Sequence, residues 1–201
     1  AVERHDVLYT GITLSPSQAE VAAARLAAVD LSDRSRIALC DYRDMTGAFD
    51  AIASVEMVEA EGQASWPAYL DTIARLLRPG GKAAIQYIAI NDALFERYAA
   101  SSDFIQAHIF PGGCLISESR FRALAEARGL AWRDVRRFGG DYAETLREWR
   151  ARFDAAVGDG RLPAGFDDRF VGLWRYYLQY CEGGFRGGGI DVAQVTLEKA
   201  G

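Results

Sequence analysis

Histidine and cysteine are scarce in this chain, at two and three residues among 201. Cys40, Cys114 and Cys181 lie far apart and form no CxxC pair, so neither a zinc site nor a disulfide framework is expected. An odd cysteine count fits a reducing cytoplasm. No apolar run reaches the roughly 18 residues that a membrane span needs. Positive charge is not in excess either. The formal net charge is −5, which argues against general nucleic-acid affinity, because that needs a basic face. The opening, AVERHDVLYTGITLS, has neither Met nor a signal-peptide pattern and reads as mid-domain sequence, so a truncated boundary is expected.

What remains is an ordinary globular composition, half apolar and a quarter charged, long enough for one domain with a sizeable core. Val7 to Thr13 is a β-branched run that ends in SPSQ, a strand leading into a helix start. Ser15 caps, Pro16 suits the first turn, and Gln18 completes a capping box; Ala22, Leu26 and Val29 then recur at helical spacing. Arg36 to Leu39 and Phe49 to Val55 read as strands, separated by a polar loop around Asp41 to Thr46. Trp66, Tyr69, Leu70, Ile73 and Leu77 mark one face of a helix that RPGGK terminates. Lys82 to Ile90 is apolar at both parities, as in a strand buried on both faces. Alternating strand and helix indicates a doubly wound α/β sheet.

The second half changes character. Residues 91–102 predict a helix, DFIQAHIFPGGC a loop carrying aromatics, residues 117–128 a helix ended by Gly129, and Leu130 to Phe138 a strand. Two amphipathic helices follow, one through Leu146, Trp149, Phe153 and Ala156, the other through Phe170, Leu173, Trp174, Tyr177, Leu178 and Cys181. Gly158 to Phe166 connects them, and Ile190 to Leu197 closes the chain as a strand. With no repeats or linkers, a single domain with a helical cap is the economical reading.

In order, GITLSPSQ, DYRD, FDAIASVEMVEAEG, LLRPGGKAAIQYIAI, FIQAHIFPGGC, FGGDYAETLREW and YYLQYCEGGFRGGGIDVAQVTL resemble the cyclopropane fatty acid synthase family of methyltransferases. LRPGG is shared by many methyltransferases; IFPGGC with FGGDY and the YYLQYCEGGFR tail is specific. The resemblance covers essentially the whole chain. It implies a class I S-adenosylmethionine methyltransferase fold, α/β and Rossmann-like, incomplete at its N-terminus and with a helical lipid-binding cap. Residues 7–90 would be the remaining cofactor-binding half, 91–189 the cap and substrate side, and 190–197 the final strand. In the family a central strand and a loop of the form ExGxGxG precede GITLS. Without them Val7 to Thr13 and Phe49 to Val55 would face a gap one strand wide, and the isolated chain is expected to be marginally stable.

The resemblance also assigns residues. Thr13, Leu14, Ser15 and Gln18 match the segment against the cofactor's ribose, and hydroxyl and amide groups at a strand end suit sugar hydroxyls. The other reading of Ser15 and Gln18, helix capping, is compatible with it. Asp41, Tyr42 and Arg43 match the adenine segment, and on the residues alone an ordinary solvated turn is equally open. Glu59 matches an active-site glutamate that helps hold a bicarbonate ion. Ile88, through its backbone, and Tyr142, through its phenol, match further members of that shell. Gln86 stands where the best-known members carry histidine, and a buried amide needs partners. VEA likewise replaces the usual FEH. Glu56 and Glu61 read as structural or solvated, and Asp50 as a structural acid.

The implied activity is transfer of a methyl or methylene group from S-adenosylmethionine to the cis double bond of an unsaturated phospholipid acyl chain. It would give a cyclopropane, methyl-branched or methylene-branched chain, and no metal is implied. His108, Phe110, Pro111, Gly112 and Gly113 could shape a channel mouth, and Trp149, Phe153, Trp174, Tyr176 and Tyr177 an acyl tunnel. Rigid loop and plain core are the competing readings. Arg133, Arg136 and Arg137 could meet anionic headgroups, or form a solvated strand edge. A peripheral place at the inner membrane surface follows from the substrate, and a homodimer is left open. The rival functions are a small-molecule methyltransferase of the same superfamily and a non-catalytic remnant.

Overall fold

The computed structural model describes residues 4–201, which group into two compact units divided between Ala48 and Phe49. In the first, β1 (Tyr9–Thr13) leads through α1 (Pro16–Ala27) to β2 (Ser35–Leu39), and the two strands pair in parallel with Thr13 opposite Leu39. Ser15 caps α1 by accepting the Gln18 N–H at 3.3 Å. The expected reciprocal half of the capping box is replaced. Thr13 Oγ1 accepts the Ser15 N–H at 3.1 Å, which leaves the Gln18 side chain to accept from the Thr13 hydroxyl at 2.9 Å. α1 buries none of its residues, and Val29, expected on it, lies beyond its end.

The second unit is built on a mixed sheet. Its strands are β3 (Phe49–Val55), β4 (Leu77–Ile90), β5 (Ile116–Ser117), β6 (Leu130–Arg137) and β7 (Ile190–Lys199). Their order is β3-β4-β7-β6, with β5 added to β4. β3 and β5 run parallel to β4, whereas β7 is antiparallel to both β4 and β6. The helices are α2 (Trp66–Leu76), α3 (Asp92–Ala99), α4 (Phe104–His108), α5 (Glu118–Glu126), α6 (Gly139–Gly158) and α7 (Asp168–Arg186). Among the described residues no helix is long and apolar enough to cross a membrane.

Two expectations are corrected. RPGGK does not terminate α2, which stops at Leu76, and RPGG opens β4 instead. Lys199 Nζ donates to the carbonyls of Ala74 at 2.6 Å and Leu77 at 2.7 Å, so a cation from β7 satisfies the helix end that a glycine cap would otherwise have served. The aromatic loop contains α4, started by a capping box between Asp103 and Gln106.

β4 divides the packing. Ala83, Ile85, Tyr87 and Ala89 are buried on one face. There Tyr87 lies 6.4 Å from Phe121 and 5.9 Å from Trp132, and Phe121 lies 6.0 Å from Trp66. On the other, Ala84 is exposed while Gln86 and Ile88 are half-buried, so the strand is not sealed on both faces as its composition predicts. Ile88 packs there against the cluster of Ala143, Leu146, Leu178, Phe185 and Val192.

Candidate active site

Glu59 sits in a 3-10 turn, Val58–Ala60, shortly after β3, and the fully buried Val58 pins that turn to the core. The IFPGGC segment braces it from outside. The Cys114 N–H donates to the Glu59 carbonyl at 2.8 Å, and Gln106 Nε2 donates to the Gly113 carbonyl at 3.0 Å. A Cβ on Gly113 would stand 3.1 Å from the Glu59 carbonyl oxygen, so any side chain there would push on the turn by a few tenths of an ångström. β3 stops pairing with β4 at Gln86, and the N–H of Ile88, two residues on, donates to Glu59 Oε1.

Glu59 Oε2 is buried without a hydrogen-bond partner. Burial pushes the carboxyl up to about 7. The Ile88 N–H opposes that rise, and the charge of Glu56 adds to it.

Glu56 is the centre of the neighbouring polar network rather than a solvated bystander. Its Oε1 accepts from Gln86 Nε2 at 2.8 Å and its Oε2 from the Tyr142 hydroxyl at 2.9 Å. Gln194 Nε2, across the β4–β7 ladder, donates to Gln86 Oε1 at 2.9 Å. The Glu56 carboxylate oxygen accepts, so the Gln86 NH2 faces it and the Gln86 carbonyl oxygen faces Gln194. Sequence reasoning noticed that Gln86 needs partners. It missed Glu56 and Gln194, because strand register is what supplies them.

Tyr142 lies in the first turn of α6. The Gly139 N–H donates to Asp191 Oδ1 at 2.9 Å, and any Cβ at Gly139 would run into that oxygen, so FGGDY fixes where the phenol points. The ring stands 4.9 Å from Phe185. Burial, with the Glu56 charge next, raises the Tyr142 hydroxyl well above the usual phenol range. Burial likewise pushes Tyr177 and Cys181 each up to about 12.

Thr13 is the last residue of β1 and Leu14, Ser15 and Gln18 follow it, while Asp41, Tyr42 and Arg43 follow the end of β2. The two segments therefore lie at the carboxyl ends of adjacent parallel strands, where open α/β sheets place ligands. Arg43 holds the Asp41 carboxyl down at about 2 through side-chain and backbone hydrogen bonds.

Other candidates are less concentrated. Phe153, Trp174 and Tyr177 pack against the α6–α7 cluster, but Trp149 and Tyr176 are half or nearly half exposed. His108 and Phe110 are exposed. Arg137 pairs with Glu118, which leaves Arg133 and Arg136 exposed beside a bulge in β6. Asp50 pairs with Arg78 at 2.5 Å.

The family model for mycolic acid cyclopropane synthetase matches residues 1–195. The chain belongs to this family. Tuberculostearic acid methyltransferase UfaA1 of Mycobacterium tuberculosis is 42% identical over 191 residues, covering 94% of this chain and 44% of that protein. Cyclopropane-fatty-acyl-phospholipid synthase of Escherichia coli (strain K12) is 32% identical over 195 residues, covering 97% and 48%. The chain thus spans about half the length of these relatives. The crystal structure of mycolic acid cyclopropane synthase CmaA1 complexed with SAH and CTAB matches with a TM-score of 0.88 at 30% identity, covering 99% of this chain and 72% of that one. The family member's fold is therefore that of the class I S-adenosylmethionine methyltransferases.

Proposed function

We propose that this chain is the catalytic part of an enzyme that transfers a methyl or methylene group from S-adenosylmethionine to the cis double bond of an unsaturated phospholipid acyl chain. The observation that carries the reading is the convergence of Glu59, Gln86, Ile88 and Tyr142 at one end of β4, beside the apolar and aromatic α6–α7 cluster. The relatives named for fatty acyl and tuberculostearic acid substrates support the substrate class.

S-adenosylmethionine, when bound, supplies an electrophilic methyl group on a sulfonium. The residues present suit part of it: hydroxyl and amide groups of Thr13, Ser15 and Gln18 would hold the ribose beside Leu14, and Asp41, Tyr42 and Arg43 would hold the adenine. Phe153, Trp174 and Tyr177 would keep water from a cationic acyl chain, and ring faces attract such a charge. The enzyme would meet the acyl chain as a peripheral protein at the inner membrane surface, acting as a single chain or as a homodimer.

Bicarbonate fits these residues poorly. An anion needs donors, and the Ile88 N–H, the Tyr142 hydroxyl and one Gln86 N–H are all given to carboxylates. Glu59 Oε2 is an orphaned acceptor beside a second acid, a poor partner for an anion unless protonated.

The test is to incubate the protein with methyl-labelled S-adenosylmethionine and vesicles of monounsaturated phospholipid, then analyse the released fatty acids by mass spectrometry. Label in an acyl chain one CH2 heavier is expected. Turnover of the methyl donor without labelled lipid would end the lipid reading.

A further inference from the structure

We propose that Glu56 is the general base of this site, accepting the proton that the alkylated acyl chain loses after methyl transfer. The assignment rests on the function proposed above. It is motivated by a carboxylate standing among the donors that an anion would otherwise occupy.

Three features argue that Glu56 is built for a task. Each carboxylate oxygen accepts one hydrogen bond, from Gln86 at 2.8 Å and Tyr142 at 2.9 Å, and its backbone N–H donates to the Gln86 carbonyl at 2.9 Å. Each oxygen keeps a further lone pair for an incoming proton. Second, the network extends through Gln86 to Gln194, so the orientation of the carboxylate is set from two strands and α6 together. Third, Glu56 has φ of +49°, a left-handed conformation that costs a side-chain-bearing residue energy and that clusters at functional sites. A glycine would adopt it freely. The strain falls here on a residue whose two carboxylate oxygens are both engaged by the network.

The neighbours exclude the obvious competitors. The neutral Gln86 amide is too weak a base to take a proton, and Tyr142 is already a donor, its hydroxyl proton given to Glu56. Glu59 lies in a different environment, with one oxygen on the Ile88 N–H and the other buried and unpartnered, and burial favours its neutral form. Two carboxyl groups three residues apart in sequence thus take different parts, Glu59 in shaping the pocket and Glu56 in accepting the proton.

The step balances. The π pair of the chain's double bond forms a C–C bond to the sulfonium methyl, and the C–S pair stays on sulfur, which leaves a carbocation on the chain. A C–H bond then breaks, either on the added methyl, whose electron pair closes a ring onto the cationic carbon, or on a chain carbon next to that centre, whose pair forms a new C=C. In either case the proton goes to Glu56. The Glu56 acid returns the proton to water between turnovers.

The deciding experiment compares wild type, Glu56→Gln and Glu56→Gly in turnover of S-adenosylmethionine on monounsaturated phospholipid vesicles, with and without added formate or bicarbonate. Glu56→Gln keeps the shape of the side chain. Glu56→Gly suits the left-handed backbone and guards against a folding defect. Both are expected to lose about 100-fold or more in kcat with KM little changed, and Glu56→Gly is expected to regain activity with formate. Wild type is expected to be indifferent to bicarbonate. Turnover within about threefold of wild type in either variant overturns the assignment, as does a wild-type requirement for bicarbonate. Loss without rescue overturns it in favour of a positioning role. Wild type that transfers no methyl group to lipid removes the underlying function, and the assignment with it.

Discussion

The two faces of β4 carry the same strand's residues to different ends. On the odd-numbered face, Ile85 and Tyr87 enter a dry layer of aromatic side chains from α2, α5 and β6, where shape and area decide what fits. On the even-numbered face, Gln86 and Ile88 meet Glu56, Glu59 and Tyr142, where the pairing of donors and acceptors decides. Burial of a large apolar side chain contributes roughly 1.5–3 kcal/mol, against about 1 kcal/mol net for a hydrogen bond. Stability therefore lies mostly on the first face, and the second can hold a strained glutamate and an unpartnered carboxyl oxygen.

The contrast is broken most severely at Phe121, which contacts Trp66, Tyr69, Tyr87 and Trp132. Phe121→Ala should cost about 3–5 kcal/mol in a denaturant melt. A loss below about 1 kcal/mol would show that the aromatic face is not the main source of stability.

Titration tests the polar face. The native Glu59 carboxyl ionises at about 7, while in the unfolded chain it ionises in the ordinary range near 4.5. Between those values the folded state holds the extra proton, so stability falls as pH rises through the window and levels off above it. The drop is at most about 3 kcal/mol, less the share screened by solvent. Glu59→Gln should flatten it. A wild type whose stability is level or rising across this window, by urea melts at successive pH values, would refute the assigned environment.

Gly139→Ala comes next. The added methyl would displace Asp191 Oδ1 and weaken its bond to residue 139, at about 1–3 kcal/mol. Activity should fall further than stability accounts for, because Tyr142 moves with the turn. A variant with wild-type melting and turnover would count against that coupling. The smallest change is expected at the exposed end of the network. Gln194→Ala should cost about 0.5–1 kcal/mol and leave most turnover, which kinetics beside a thermal melt would check.

Much of this was legible in the residues. SPSQ announces the start of α1, Gly129 the end of α5, and FGGDY, IFPGGC and the YYLQYCEGGFR tail carry the family. Local chemistry is enough for these, because caps and tight turns act within a few residues. The bounds of α2 and β4 were misread because Lys199 is more than 120 residues away from the carbonyls it satisfies. Glu56 was undervalued for the same reason, since its Tyr142 partner is 86 positions distant.

By itself, the sequence determined the alternation of strands and helices, the family, and the identity of Glu59, Gln86, Ile88 and Tyr142 as residues worth watching. Periodicity and short-range hydrogen bonding are written along the chain, so they survive without coordinates. Only the tertiary structure decided which lone pair and which N–H meet. It made Glu56 the shared acceptor, oriented Gln86 between Glu56 and Gln194, and left Glu59 Oε2 without a partner. Those outcomes depend on strand register and helix placement, which bring together side chains that no local rule connects.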